Sequence, residues 1–252
     1  MLTSFALETR YELTKLVRLP VFAIMSLGFP LLFYLMFGVA MAGSRMMGGR
    51  NLALPMLATY GAFGVIGAAL FSFGVGVAVE RAQGWLLLKR ATPMPPLVYV
   101  MGKVAASMTF CAVIVISLWL CGTLLAGVRM TPPQWVALVG SLVLGSIPFC
   151  ALGLALGFAA GPNSAPGFVN LVHLPGAFAG GLWLPMEILP ESVQAVGRWL
   201  PQYHLGQLAL TSIGQSADPD PLRNVLVLVA WTVATIGLAV LAFKRDEGKL
   251  YG

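Results

Sequence analysis

The chain has 252 residues, 58% of them hydrophobic and only 10% charged, with a formal net charge of +6. A soluble domain carries roughly 25% charged residues to cover its surface, so this composition, with a mean hydropathy of +0.87, excludes a soluble fold and points to an integral membrane protein. The basic residues sit in gaps between apolar runs rather than on one face, which excludes nucleic-acid binding.

Residues 1–19 include FALETRYELTKLVR, where apolar and charged residues alternate at helical spacing. Phe5, Leu13, Leu16 and Val17 can lie on lipid while Glu8, Glu12 and Lys15 face water, which predicts an interfacial helix. Leu19 to Ser44 carries no charge and predicts a first spanning helix over 20–43, kinked at Pro30. Ala40-Met41-Ala42 resembles a cleavage site, but Glu8 and Glu12 in the leader and the length of the apolar run favour a retained helix. The second charge-free run predicts a span over 52–79, rich in glycine: Gly61, Gly64, Gly67, Gly74 and Gly76.

Residues 80–96 then break the pattern. Glu80, Arg81, Lys89 and Arg90 surround the short apolar knot Trp85-Leu86-Leu87-Leu88, and prolines follow. The knot is too short to cross a bilayer, so this is a structured loop on one face. A third span is predicted over 97–127, opened by Lys103. Met130 to Met186 has no charge and is long enough for two spans, 134–160 and 165–185, separated by the turn-rich stretch Gly161 to Gly167. Pro148 and Pro175 should kink them, and Gly153 and Gly157 form a GxxxG pair suited to close helix packing. Residues 186–214 are Pro-rich and half apolar, which predicts two short helices dipping into the outer leaflet. The sixth span covers 223–243, followed by a tail over 244–252.

Lysine and arginine set the orientation. The arm, the 80–103 stretch and the tail hold ten of them, against five on the other side: Arg45, Arg50, Arg129, Arg198 and Arg223. Both termini are therefore expected in the cytoplasm, and the chain in the plasma membrane.

There is no GxxxxGK[ST] loop for ATP, no HExxH, and no carboxylate inside a span, so the chain is expected to be neither an ATPase nor another enzyme, and to hold no metal. Cys111, Cys121 and Cys150 lie in apolar runs without CxxC spacing and read as reduced, packed thiols. Asn170 and His173, three residues apart, can face the same way; they read as an interhelical hydrogen-bonding pair or as the lining of a cavity. Phe71 is a further candidate for that lining. His204 reads as a packing residue with satisfied hydrogen bonds.

Taken in order, Glu80-Arg81, Gly84, the apolar knot, Thr92-Pro93 and Gly102-Lys103, and then the Pro-flanked GLWLPMEILPESVQAVGRWLPQYH before the last span, resemble a permease subunit of the ABC-2 type exporter family over nearly the whole chain. Two positions depart from the family pattern: Glu80 lies farther from Gly84 than is usual, and Trp85 stands where a small hydroxyl residue is common. The resemblance implies an all-α permease with six spans, an interfacial first helix, a cytoplasmic coupling helix, and re-entrant helices before the sixth span. It implies a separate ABC ATPase subunit that binds ATP and Mg2+, this chain binding no cofactor. It also implies a second permease copy, identical or different, and an ATPase contact through Glu80, Arg81, Gly84, Trp85, Leu86, Leu87, Lys89, Arg90 and Pro93. Substrate would pass between the copies near Phe71, Asn170 and His173. The apolar cavity favours an amphiphile, drug or lipid-like cargo; a polysaccharide or glycoconjugate exporter of the same fold, and a stand-alone secondary transporter, remain the alternatives.

Overall fold

The computed structural model describes residues 2–40, 52–92, 94–216, 218 and 220–250; at 20, 21, 25, 87, 90, 96 and 246–250 only the backbone is described. Among the described residues every regular element is helical: α1 (Leu2–Arg18), α2 (Pro20–Phe33) continuing as a π-helical turn (Tyr34–Val39), α3 (Ala53–Ala82), α4 (Trp85–Arg90), α5 (Pro96–Leu125), α6 (Pro132–Leu144), α7 (Ile147–Ala159), α8 (Ala165–Ala179), a 3-10 turn (Met186–Ile188), α9 (Glu191–Gly197), α10 (Pro201–Ser212) and α11 (Pro221–Leu250). Five segments are long and apolar enough to cross a membrane: Phe22–Val39, Ala53–Ala82, Leu97–Leu125, Pro132–Ala159 and Pro221–Arg245. The chain is thus a multi-pass membrane protein. Val225, Leu226, Val229, Val233 and Ile236 on α11 are all exposed, a continuous apolar face of the kind that only lipid or another apolar surface accommodates.

The bundle is built around α3, buried along most of its length. Its small residues make this possible, because without bulky side chains neighbouring backbones can approach closely. The GxxxG pair of α7 lies directly on it. A Cβ at Gly153 would stand 2.9 Å from the Phe73 Cβ, and one at Gly157 would stand 2.8 Å from the Phe73 carbonyl oxygen. α8 runs antiparallel to α3 on another side. Ala165 packs with Ala78, Val169 meets Gly74, His173 meets Gly67, and Trp183, just past α8, reaches Tyr60 through a hydrogen bond from the Tyr60 hydroxyl to its carbonyl (3.2 Å). From Tyr60 to Ala78, α3 rises about 27 Å at 1.5 Å per residue.

Four expectations are corrected by the structure. The helix expected over 165–185 ends at Ala179, because Gly180 and Gly181 turn the chain, Gly181 with φ +73°; α8 alone is too short to count among the spans. The helix expected over 134–160 is broken outright at Gly145 and Ser146, just before Pro148, where only a kink was expected. That proline sits in the first turn of α7 and has no N–H to offer the Leu144 carbonyl four residues back, where α6 ends. Gly145 lets α10 come close at the break, since a Cβ there would stand 2.3 Å from a Leu205 methyl carbon. The polar face expected of α1 does not meet water: Glu12 and Leu16 are both buried. The last helix begins at Pro221 and continues to Leu250, where a tail was expected from 244. The first span is described to Ala40, and its predicted end at 41–43 falls outside the described residues.

The two short helices expected in 186–214 are present as α9 and α10. Trp199, between them, accepts a hydrogen bond at its carbonyl from the indole of Trp231 (3.2 Å), ten residues into α11. At the other end of α10, Gln134 of the first α6 turn donates to the Ile213 carbonyl (3.3 Å). The segment therefore descends along α11 and returns along α6.

Because Gly157 faces a backbone carbonyl that cannot swing away, Gly157→Ala should lower stability by about 1–3 kcal/mol. Gly140→Ala, where a Cβ meets nothing within 4 Å, should be neutral. Thermal unfolding of both variants in detergent checks the pair.

Candidate functional site

Six charged side chains converge at one end of the bundle. Glu8, Glu12 and Lys15 come from α1, Glu80 from the last turn of α3, Lys89 from α4 and Lys103 from the second turn of α5. The Lys103 ammonium lies 2.7 Å from Glu12 Oε2 and 2.9 Å from Glu80 Oε1. Lys15 also pairs with Glu80, and Lys89 pairs with Glu8 and, at 3.4 Å, with Glu12. The Tyr99 hydroxyl donates to Glu80 Oε2 at 2.5 Å, and the Lys89 ammonium sits 4.2 Å from the centre of the Tyr99 ring. Three carboxylates and three ammonium groups balance. Lys103 and Glu12 are each 1% exposed and Glu80 is 5% exposed.

Local sequence explains how the helices bring these groups together. Glu8, Glu12 and Lys15 recur at spacings of four and three, so they share one face of α1. That face can reach α5 because Gly102 has no side chain: a Cβ there would lie 2.8 Å from the Glu8 Cγ. Burial by itself pushes the Glu12 carboxyl up. The ammonium groups of Lys103, Lys15 and Lys89, with the hydrogen bond from Lys103, outweigh it and hold the group below its ordinary value of 4.5.

The loop after α3 takes its shape from Gly84. α3 ends at Ala82, and Gly84 adopts φ +76°, a left-handed conformation that glycine adopts without steric cost. The chain reverses into the six-residue α4. Arg81 faces back into the bundle and caps the end of α7, donating to the carbonyls of Phe158 and Ala160, the latter at 2.8 Å. Trp85 is 45% and Leu88 62% exposed, and the Trp85 indole donates to the Gln83 side chain (3.0 Å). Leu86 is partly buried against the core. Pro93 and the side chains of Leu87 and Arg90 lie outside the described residues. A groove of about 820 Å³ runs beside the turn after α4, lined by Arg10, Tyr11, Lys15, Arg18, Thr92 and Met94 among others.

Of the expected coupling residues, Glu80, Arg81 and Lys89 are engaged with α1, α5 and α7 and Leu86 is partly buried, whereas Trp85 points outward, as does its neighbour Leu88, which was not among them. Glu8, Glu12, Lys15, Tyr99 and Lys103 were not expected to form a site with them. The available signal was that acids are rare in this chain, nine in all, and that Glu8, Glu12 and Glu80 lie at the boundaries of apolar runs.

The three candidate path residues do not share a surface. His173 is 4% exposed and stacks on Phe63 with ring centroids 4.6 Å apart. Asn170 is exposed on the outer face of α8, and Phe71 is half-buried. The expectation that Asn170 and His173 face the same way is therefore corrected: His173 turns toward α3, and Asn170 turns away from the bundle. Among the described residues no group of three or more potential metal ligands occurs.

Lys103→Met would leave Glu12 and Glu80 short of a counter-ion in a buried site, and it should cost about 3–5 kcal/mol. Lys103→Met with Glu12→Gln should recover part of the loss. Glu12 binds a proton less readily in the folded than in the unfolded chain. Its contribution is therefore complete above about pH 4.5 and lost as pH falls through the lower folded-state value. Unfolding temperatures across pH 3–7 for wild type and Glu12→Gln, roughly the window in which carboxylates titrate, check both: the variant should lose the acid-side slope.

Comparison with known proteins agrees with this architecture. Residues 48–241 match the family model described as ABC-2 family transporter protein. A protein of Bacillus subtilis (strain 168), named "Putative transport permease YvfS", is 26% identical over 236 residues, which cover 94% of this chain and 95% of that protein. The match takes in α3 through α11 as far as residue 241, including the α4 turn, Lys103 and the whole α9–α10 segment. The chain belongs to the ABC-2 family of transporter proteins.

Proposed function

We propose that this chain is the membrane permease of an ATP-driven exporter, worked by a separate ABC ATPase subunit that docks on α4. The single observation that carries this is the two-sidedness of α4. It shows Trp85 and Leu88 to the outside, and through Lys89 it is tied to Glu8 and Glu12 of α1 and to the Tyr99 ring of α5. An exposed aromatic and leucine flanked by charge suit a groove on a partner protein. Glu80, Arg81 and Lys89 then act as internal ties: a push on α4 reaches α1, α3, α5 and, through Arg81, α7. ATP and Mg2+ belong to the partner.

Family membership supports a transport role, and the fold supports six passages. α8 with the chain to Trp183 accompanies α3 over about 27 Å, close to the roughly 30 Å hydrocarbon core. Counting that passage, α1 and the end of α11 lie on the same side, since Phe243 packs on Phe158 with ring centroids 5.2 Å apart beside the carbonyls that Arg81 caps. The lysine and arginine distribution makes that side cytoplasmic, in a bacterial inner membrane. A second copy, identical or different, would cover the exposed α8 face that carries Asn170 with Phe168, Leu171 and Leu174, because a polar side chain at this depth calls for a protein or aqueous neighbour. The cargo proposed is an amphiphilic small molecule, drug or lipid-like compound, passing along the α8 face that carries Asn170.

The test is Leu88→Asp and Trp85→Ala in the full chain co-expressed with its ATPase. Loss of an interfacial tryptophan costs about 2 kcal/mol, roughly 30-fold in affinity. Both variants should insert normally, since the side chains are exposed, yet co-purify poorly with the ATPase and lose export. Undiminished co-purification and export in both would refute the docking site.

A further inference from the structure

At the other end of the bundle a second polar network is buried, and the proposed function does not use it. His204, in the first turn of α10, is 3% exposed, and Asn224, at the start of α11, is fully buried. The His204 Nδ1 lies 2.6 Å from Asn224 Oδ1, and its Nε2 lies 3.0 Å from the Arg198 carbonyl oxygen. The orientation of the Asn224 amide follows from its other contacts. Its Nδ2 faces two acceptors, Asp218 Oδ2 at 3.4 Å and the Asp220 carbonyl at 3.3 Å. Turning the amide over would set its oxygen against both.

Asn224 Oδ1 is therefore an acceptor, and so is the Arg198 carbonyl. A neutral imidazole has one N–H donor and one acceptor nitrogen. Either neutral tautomer would aim a lone pair at an oxygen only 2.6 or 3.0 Å away. Both contacts are satisfied together only when both ring nitrogens carry protons. We propose that His204 is a proton-binding site, and that the imidazolium latches α10 to α11 through Asn224 and to the α9–α10 turn through the Arg198 carbonyl.

The surrounding groups suit a cation at this position. The Asp218 carboxylate lies one amide away, across Asn224, and its burial is offset by hydrogen bonds from the Asp220 N–H, Arg223 and Asn224. Balancing its burial against these bonds and the Arg223 charge, the Asp218 carboxyl is held below its ordinary value. Arg223 binds the same Asp218 oxygen at 2.8 Å with its side chain 55% exposed, which joins the network to solvent. Asp220 caps the start of α11 through the Arg223 N–H (3.1 Å). The Tyr203 ring stands edge-on to His204 at 5.2 Å, and the Arg198 side chain extends to Gln194 (3.5 Å). α6 contributes no titratable group to this face. From α3, Tyr60 is committed to the Trp183 carbonyl, and His173 of α8 faces Phe63.

When the ring releases its proton to water, it keeps a single donor and must abandon either Asn224 or the Arg198 carbonyl. In both cases the descending segment loses one of its two ties at this point. That the network answers to the pH outside the cell rests on the orientation proposed above; the doubly protonated ring does not.

With two histidines in the chain, 15N-histidine labelling gives a spectrum of two rings, assigned by Histidine 204 loss in the His204→Gln variant. The full-length protein is titrated in lipid nanodiscs between about pH 5.5 and 8.5, where histidine changes charge. One ring should show both nitrogens protonated at the acid end and lose one proton as pH rises, and the thermal midpoint should fall in step, a fall absent from His204→Gln. A His204 ring neutral at every pH, or one that stays doubly protonated throughout, overturns the proposal. None of these readouts involves the ATPase, so their failure is distinct from failure of docking at α4.

Discussion

A lysine held between two carboxylates, almost fully buried, organises the charged end of this molecule. Lys103 bonds Glu12 from α1 and Glu80 from α3, and without it both acids would be short of a counter-ion in a buried site. An isolated charge in a low-dielectric site is so costly that it moves or neutralises. The position of α1 follows from this requirement. The helix carries its acids on the face it turns toward α5, and Gly102 leaves the space for that face to arrive. Lys89 completes the balance and carries α4 with it.

The two ends of the bundle solve the same problem in different ways. The end at Lys103 gathers formal charges in compensating numbers. The opposite half relies on aromatic packing, with Phe33, Phe63 and Trp183 in mutual contact, and on the hydrogen-bonded chain from Arg198 through His204 and Asn224 to Asp218. Between them, packing against α3 depends on missing side chains: Gly74, Gly153 and Gly157 each sit where a Cβ would meet a neighbour within 3.0 Å. In lipid, apolar side chains gain little by leaving their solvent for one another, so close backbone contact has to supply the attraction.

Five of the spans, the GxxxG contact and the short helices around Glu191 and Pro201 were legible because each depends on nearby residues: charge-free length, glycine spacing, proline at a helix start. The close approach of α10 at Gly145 was not legible, since the neighbour there, Leu205, is sixty residues away in sequence. The inward turn of Glu12 was hidden for the same reason. Taken alone, α1 has an amphipathic pattern that fits a water-facing row of charges, and only the placement of Glu80 and Lys103 beside it makes burial the better solution. His173 and Asn170 show the limit of spacing arguments: residues three apart on a helix are neighbours, yet the boundary between a packed and an open face can fall between them.

The density of charge around α4 has a physical explanation in this arrangement. A buried ion network adds little stability over apolar packing of equal volume, so stability alone is a poor reason to place six charges here. Such a network does link elements by direction and distance, because each ammonium must stay within reach of its carboxylates. Sliding contacts between leucines allow an element to shift without large loss; a Lys103 displaced from Glu80 strains the balance of a buried network in which Glu80 keeps only Lys15 and Lys103 keeps only Glu12. A six-residue helix tied through Lys89 to α1 and packed on Tyr99 of α5 therefore cannot be moved alone. For the proposed docking of an ATPase on α4, that is the property an entry point of force would require: exposed, apolar and small on the outside, and bound by charge to the helices behind it.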